Sequence, residues 1–66
     1  MVVNGFAANL KKLRKSKNET QQQLANALGV SRCTISKWEN KYLEADYANL
    51  IAIAEHYRIT IDQLLR

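Results

Sequence analysis

Five polar side chains in the middle of the chain have the chemistry to bind another molecule. Arg32 and Lys37 are cations that donate several hydrogen bonds, and Cys33, Thr34 and Ser36 lie between them with short polar side chains. The sequence shows no Ser/His/Asp set, no carboxylate pair placed for acid–base work and no glycine-rich phosphate loop. With one cysteine and one histidine, it offers no metal-ligand cluster and implies no cofactor. We therefore predict a binding protein and not an enzyme.

The stretch that must position these side chains is predicted to form two short helices joined at a glycine. The first is predicted over 21–28, where Thr20 begins a Thr-x-x-Gln capping box. The second is predicted over 32–39, with Ser31 as its N-cap. Between them, Gly29 takes the left-handed backbone of a tight turn without steric cost. This order of residues predicts a helix-turn-helix.

Apolar spacing indicates which faces of the two helices pack inward. Leu24, Ala25 and Leu28 recur at helical intervals in the first helix, and Ile35 and Trp38 do so in the second. The small side chain of Ala25 suits a steep crossing of two helices. The cationic and short polar side chains of the second helix are left for its outer face.

Three further helices are predicted around this motif, which makes the chain all-α. Apolar residues at helical spacing place them over 6–15, 47–57 and 61–65. The wide apolar band that begins at Tyr47 predicts that this longer helix is the most buried of the five. Sixty-six residues suffice for one domain, so 1–66 is predicted to form a single unit.

Residues suited to helix ends flank these three helices. Asn4, Asp46 and Thr60 stand where an N-cap is expected. Asn18 follows the first helix, and Asn tolerates the left-handed conformation that ends many helices. These signals predict short connections between helices.

The charge balance is basic. Ten Lys and Arg against six Asp and Glu give a net charge of +4 and a pI near 9.5. Such a balance is typical of a phosphate-binding surface, although many basic proteins bind no nucleic acid. The single cysteine, Cys33, cannot form an internal disulfide and suits a reducing cytoplasm. A redox switch at Cys33 is one interpretation, and a small side chain of tolerable shape is the other.

Two stretches resemble the Cro/C1-type (XRE-like) helix-turn-helix family of phage and bacterial transcriptional regulators. They are NLKKLRKSKNETQQQLANALGVSRCTISKWENK and ANLIAIAEHYRITIDQLL. The resemblance implies a compact five-helix, lambda-repressor-like domain that binds DNA. It also matches Arg14 and Glu39 to an ion pair common in the family, for which the planar Arg fork is suited.

Four positions depart from the family pattern. Glu19 replaces an apolar residue that packs against Leu24, which predicts a looser start to the second helix. Lys41 stands where Gly is common, so Asn40 is expected to carry the left-handed turn. Ala45 lacks a frequent proline, and Arg58 replaces Gly or Asn.

The resemblance implies a role for each candidate site residue. The second helix of the motif would lie in the major groove and present its residues to base edges: Arg32, Cys33, Thr34, Ser36 and Lys37. Phosphates would be bound at the start of the first helix and in the loop after the second: Gln21, Gln22, Asn40, Lys41 and Tyr42. A homodimer contact is expected near the end of the chain: Ile59, Ile61 and Leu64.

The leading hypothesis is therefore a sequence-specific regulator in the cytoplasm of a bacterium or a phage-infected host. It would repress transcription as a dimer on a pseudo-palindromic operator in double-stranded DNA. The alternative is a protein-binding module, such as an antitoxin or anti-repressor, in which a partner protein covers the face around Arg32 and Lys37.

Overall fold

The structure, a computed structural model, describes residues 5–66 and folds them into helices without a strand. The five helices are α1 (Phe6–Ser16), α2 (Gln21–Leu28), α3 (Arg32–Glu39), α4 (Tyr47–Tyr57) and α5 (Ile61–Leu65). The all-α prediction is confirmed, and only α1 differs in length, by one residue. Asn4, the expected cap of α1, lies outside the described residues. Across 5–66, every helix is too short or too polar to cross a membrane.

The N-termini of α2 to α5 are closed by the side chains that the sequence predicts. In each helix the capping oxygen accepts a hydrogen bond from the backbone N–H three residues later, and the caps are Thr20, Ser31, Asp46 and Thr60. The caps of α2 and α5 are complete capping boxes. Because a cap satisfies a donor that the helix itself cannot, each is worth about 1 kcal/mol.

Helices α1 to α4 share one kind of C-terminus. Each ends at a left-handed residue, namely Asn18, Gly29, Lys41 and Arg58, with φ between 54° and 72°. The N–H of the following residue then bonds the carbonyl five residues earlier, as from Val30 to Ala25 at 3.0 Å. The expectation for Asn18 and Gly29 is confirmed.

The expectation that Asn40 carries the left-handed turn is wrong. Asn40 has a φ of −99°, and Lys41 takes the left-handed conformation, with a φ of 65°. Asn40 remains close to helical geometry because its side-chain amide donates back to the carbonyl of Ser36 at 2.9 Å. The turn is therefore displaced to the next residue.

Each helix contributes a fully buried Leu or Ile side chain to the core. These are Leu10, Leu24, Ile35, Ile53 and Leu64, each 0% exposed. Burying such a side chain contributes about 1.5–3 kcal/mol, so the apolar spacing of the helices is what assembles them. Trp38 is also buried, with its ring edge-on to Phe6.

The burial of α4 differs from the prediction. Tyr47, expected at the start of the apolar band, is 72% exposed. The buried residues of α4 all lie in its second half, at Ile53, Ala54 and Tyr57, and α1 carries four buried residues against three in α4. The main contacts of α4 are with α2 and α5.

Candidate nucleic-acid interface

Helix α3 has one buried face and one exposed face. Ile35 and Trp38 point into the core, whereas Arg32, Cys33 and Lys37 are exposed. Cys33 and Lys37 are one helical turn apart and lie on the same side of the helix. Arg32 is next to Cys33, at the first position of α3, and is exposed as well.

The two hydroxyls of α3 are only partly exposed and are held by neighbours. Thr34 Oγ1 lies 2.9 Å from the oxygen of the cap residue Ser31. Ser36 Oγ accepts a hydrogen bond from the Asn40 side chain at 3.3 Å, and its own hydrogen remains available to donate. These bonds fix where the two hydroxyls point on the α3 surface.

The predicted ion pair between α1 and α3 is present. Arg14 Nε donates to Glu39 Oε2 at 2.7 Å, and Nη2 donates to Oε1 at 3.1 Å. The hydrogen bond with Glu39 raises the pKa of Arg14 above its usual value, against the opposing effect of burial. Both side chains are nearly inaccessible, at 10% and 2% exposure. The pair therefore anchors the C-terminal end of α3 to α1.

Gln21 and Gln22, the expected phosphate ligands at the start of α2, each donate one hydrogen bond within the chain. Gln21 Nε2 bonds Glu39 Oε1 at 3.1 Å, and Gln22 Nε2 bonds Asn26 Oδ1 at 2.9 Å. A side-chain amide has two hydrogens, so each keeps one donor for another acceptor.

In the loop after α3, the three expected phosphate ligands differ in what they offer. Lys41 and Tyr42 are exposed, Tyr42 to 83%. The amide nitrogen of Asn40 donates to the carbonyl and the hydroxyl of Ser36. Its remaining group is an oxygen, which is an acceptor and does not suit an anion.

Sequence reasoning missed a polar cluster behind the start of α2. Glu19 accepts hydrogen bonds from Tyr57 Oη at 2.5 Å and from His56 Nε2 at 2.8 Å. Burial first, and the bond to Glu19 second, raise the pKa of Tyr57 far above its usual value. The expectation of a loose start to α2 is therefore wrong, because Glu19 is bonded to α4. The only signal in the sequence was the departure of Glu19 from the family pattern, since its partners are almost forty residues away.

The three expected dimer residues are not equivalent. Leu64 is 0% exposed and packs within its own chain, so its side chain is not available to a second copy. Its position on the inner face of α5 explains why. Ile59 and Ile61 are half-buried and retain surface for such a contact.

The sequence and the fold are similar to those of known proteins. A family profile described as helix-turn-helix matches residues 10–64. The chain is 45% identical over 60 residues to the HTH-type transcriptional activator BcrR of Enterococcus faecalis, covering 91% of this chain and 29% of that protein. It is 41% identical over 61 residues to the uncharacterized HTH-type transcriptional regulator YqaE of Bacillus subtilis, covering 92% and 53%. The chain thus spans about a third to a half of the length of these relatives.

Among solved structures, the P22 c2 repressor in complex with a synthetic operator superimposes with a TM-score of 0.87. The two sequences are 30% identical, and the match covers 92% of each chain. A transcriptional regulator from Listeria innocua gives a TM-score of 0.92 at 28% identity, over 97% of this chain and 60% of that one. The resemblance noted in the sequence is confirmed: the chain belongs to the Cro/C1-type helix-turn-helix family.

Proposed function

We propose that this chain is a transcriptional regulator that binds double-stranded DNA sequence-specifically with α3 in the major groove. The observation that carries the proposal is the exposed face of α3, where Arg32 and Lys37 project from a helix whose opposite face is buried. An α-helix fits the major groove, and its N-terminal residues then reach base edges. Likeness to a repressor solved on an operator supports DNA as the partner.

Arg32 and Lys37 have different tasks in this complex. Arg32, at the first position of α3, makes a bidentate contact to a guanine. Lys37, five residues later, reaches a guanine or a phosphate. Cys33, Thr34 and Ser36 contribute short contacts to base edges between them.

Phosphates flanking the site fix the register of the complex. Gln21 and Gln22 donate their free amide hydrogens at the start of α2, where the helix dipole also favours an anion. Lys41 and Tyr42 donate from the loop after α3. We leave Asn40 out of this set because its amide donors are engaged by Ser36.

Two copies occupy one operator and repress by blocking it. Ile59 and Ile61 form the contact between copies, and two-fold symmetry then requires half-sites about 34 Å apart or a multiple of that spacing. A reporter promoter that overlaps the selected site should lose expression when the protein is present. A rise in expression would instead make the protein an activator at that promoter.

The activity proposed here is occupancy of DNA in the bacterial cytoplasm. It requires no chemical step and no cofactor, and the named relatives are regulators of transcription. A partner protein covering α3 would be an alternative use of the same surface, and the DNA experiment separates the two.

The test is selection from a random pool of duplex DNA, followed by titration of the enriched site at several salt concentrations. We expect an inverted repeat, with the logarithm of the binding constant falling by roughly 0.9 for each neutralised phosphate per logarithmic unit of salt. Absence of any enriched sequence, with weak binding that depends on salt alone, would contradict sequence-specific regulation.

One substitution, with a matched control, then tests the role of Arg32. Arg32→Ala should weaken binding to the selected site by about 1–3 kcal/mol and relax specificity at one base pair. Arg66→Ala is the matched control, since Arg66 is exposed and pairs with Asp62 in its own helical turn. Equal effects of the two substitutions would show that Arg32 supplies only general positive charge.

A further inference from the structure

Glu19 lies in the link between α1 and α2 and is bonded to the last turn of α4. Its two carboxylate oxygens accept hydrogen bonds from different side chains, Oε1 from Tyr57 at 2.5 Å and Oε2 from His56 at 2.8 Å. The Glu19 side chain is 14% exposed, and Tyr57 is buried. We call these three residues, Glu19, His56 and Tyr57, the Glu19 joint.

The backbone of Glu19 is held from the other side by α1. Arg14 Nη1 donates to the Glu19 carbonyl at 2.7 Å, and the Glu19 N–H donates to the Arg14 carbonyl at 3.0 Å. Side chain and main chain are thus bonded to two different helices. The link has little freedom to shift while these bonds persist.

The same arginine extends the network to the start of α2. Arg14 binds both oxygens of Glu39, and Glu39 Oε1 also accepts from Gln21 Nε2. Gln21 is two residues after Glu19, so its backbone is positioned by the link and its side chain by Glu39. One hydrogen of its amide remains free to donate.

We infer that Glu19 and Tyr57 are positioning residues for DNA binding, which set the start of α2 so that Gln21 donates to a phosphate. The inference rests on the proposed function, because it assumes the Gln21 contact. An apolar residue at position 19 packs without direction, whereas a carboxylate bonded to Tyr57 holds α4, the link and α2 in one relative placement. Neither residue touches DNA in this arrangement.

The experiment uses the selected duplex with one phosphate at a time replaced by a methylphosphonate, which is neutral and has lost an acceptor oxygen. Wild-type protein should lose affinity at each contacted phosphate, on the order of tenfold for a hydrogen bond to a charged group. Gln21→Ala should abolish the loss at one phosphate and thereby identify the Gln21 contact.

Tyr57→Phe removes only the hydroxyl of the Glu19 joint. We expect it to shrink the loss at the Gln21 phosphate by several-fold, while losses at the other phosphates stay as in wild type. Tyr47→Phe is the matched control, because Tyr47 lies on the same helix and is 72% exposed. It should leave every loss unchanged.

A second pair of variants keeps the test valid if Tyr57→Phe does not fold. Glu19→Gln keeps an acceptor for Tyr57 and should preserve most of the loss at the Gln21 phosphate. Glu19→Ala removes the acceptor and should shrink that loss. Circular dichroism at the assay temperature establishes that each variant is folded.

The outcomes separate the two proposals. If Gln21→Ala erases one loss and folded Tyr57→Phe retains it in full, the positioning role is overturned and the Gln21 contact stands. A uniform loss of affinity in Tyr57→Phe, with all phosphate effects retained, means a purely structural role and also overturns it. If Gln21→Ala erases no loss, the Gln21 contact fails, and the inference fails with it.

Discussion

At the scale of single residues, Arg14 bonds α1 both to α3 and to the link that precedes α2. Its guanidinium donates to both carboxylate oxygens of Glu39 and to the carbonyl of Glu19, at 2.7 to 3.1 Å. Arg14 is itself only 8% exposed. A buried pair of this kind is costly to break, because the remaining charge is left without a partner in a poorly solvated place.

Arg14→Ala is therefore expected to lower the free energy of unfolding by about 3–5 kcal/mol. A domain of this size has about that much stability in total, so the variant should be largely unfolded at room temperature. Urea denaturation followed by circular dichroism measures it. Lys15→Ala, which removes an exposed neighbouring cation, should cost little. A mild effect of Arg14→Ala would show that the pair is solvated.

Tyr57 predicts a dependence of stability on alkaline pH. Its pKa is raised in the folded chain by burial and by the bond to Glu19, whereas an unfolded tyrosine titrates near pH 10, at about its usual pKa. As the pH rises, the unfolded chain loses this proton before the folded chain does. The contribution of the protonated Tyr57 to the free energy of unfolding is therefore complete below about pH 10. Above that pH it falls by up to about 1.4 kcal/mol per pH unit.

This pH dependence is measured by urea unfolding of wild type and Tyr57→Phe between about pH 9 and pH 11. At the lower pH, wild type should have a higher free energy of unfolding than Tyr57→Phe. This difference should decrease as the pH rises. The other titratable residues are common to both proteins, so they do not affect the difference between them. Parallel curves would contradict the raised pKa.

At the scale of helices, α1 to α4 end with the same backbone geometry although different residue types form it. The same left-handed terminator and the same backbone hydrogen bond close α1 to α4, yet only Gly29 among the four is a glycine. A left-handed conformation costs other residues roughly 1–2 kcal/mol each. Asn tolerates this conformation better than most residues, so the cost is lower at Asn18 than at Lys41 and Arg58.

Gly29 offers the clearest test of this cost. A Cβ at Gly29 would meet nothing within 4 Å, so Gly29→Ala changes backbone strain and no contact. We expect a loss of about 1–2 kcal/mol in the free energy of unfolding. Gly29→Asn should lose less, because Asn tolerates this region. Equal stability of all three proteins in urea would contradict the left-handed turn.

At the scale of the whole molecule, the fold closes where the start of α1 meets the end of α5. The Gly5 N–H donates to the Leu65 carbonyl at 2.7 Å, and Asn9 Nδ2 donates to the Leu64 carbonyl at 2.9 Å. These bonds join residues from opposite ends of the sequence. They hold Leu64 in the core. The residues proposed to contact DNA therefore belong to a domain whose first and last helices are bonded to each other.

Gly5→Ala tests this closure. An added Cβ would lie 2.8 Å from the carbonyl carbon of Arg66 and 3.0 Å from its oxygen. These are backbone atoms of the residue that follows α5, whose N–H donates to the Asp62 carbonyl. The expected loss is about 1–3 kcal/mol, as for other overpacked sites. Without that contact, the same substitution should stabilise by up to about 1 kcal/mol, because it restricts the unfolded chain. The sign of the change in the free energy of unfolding, measured in urea, therefore shows whether Gly5 is in close contact with Arg66.

The sequence by itself determined the helices and their order. Caps such as Thr20 and Ser31, the glycine at position 29 and apolar residues at helical spacing act within a few residues, so they are legible without the fold. The exposed face of α3 followed from the same periodicity. The Arg14–Glu39 pair was also predictable, because the family resemblance supplied a relation between two distant positions.

Only the tertiary structure decided which side chains at these positions are buried or bonded. Glu19 holds α2 through Tyr57, Leu64 belongs to the core, Tyr47 is exposed, and Lys41 takes the turn expected at Asn40. The physical reason is the same in most of these cases. Burial and side-chain hydrogen bonding depend on elements tens of residues away, and local spacing contains no information about where those elements pack.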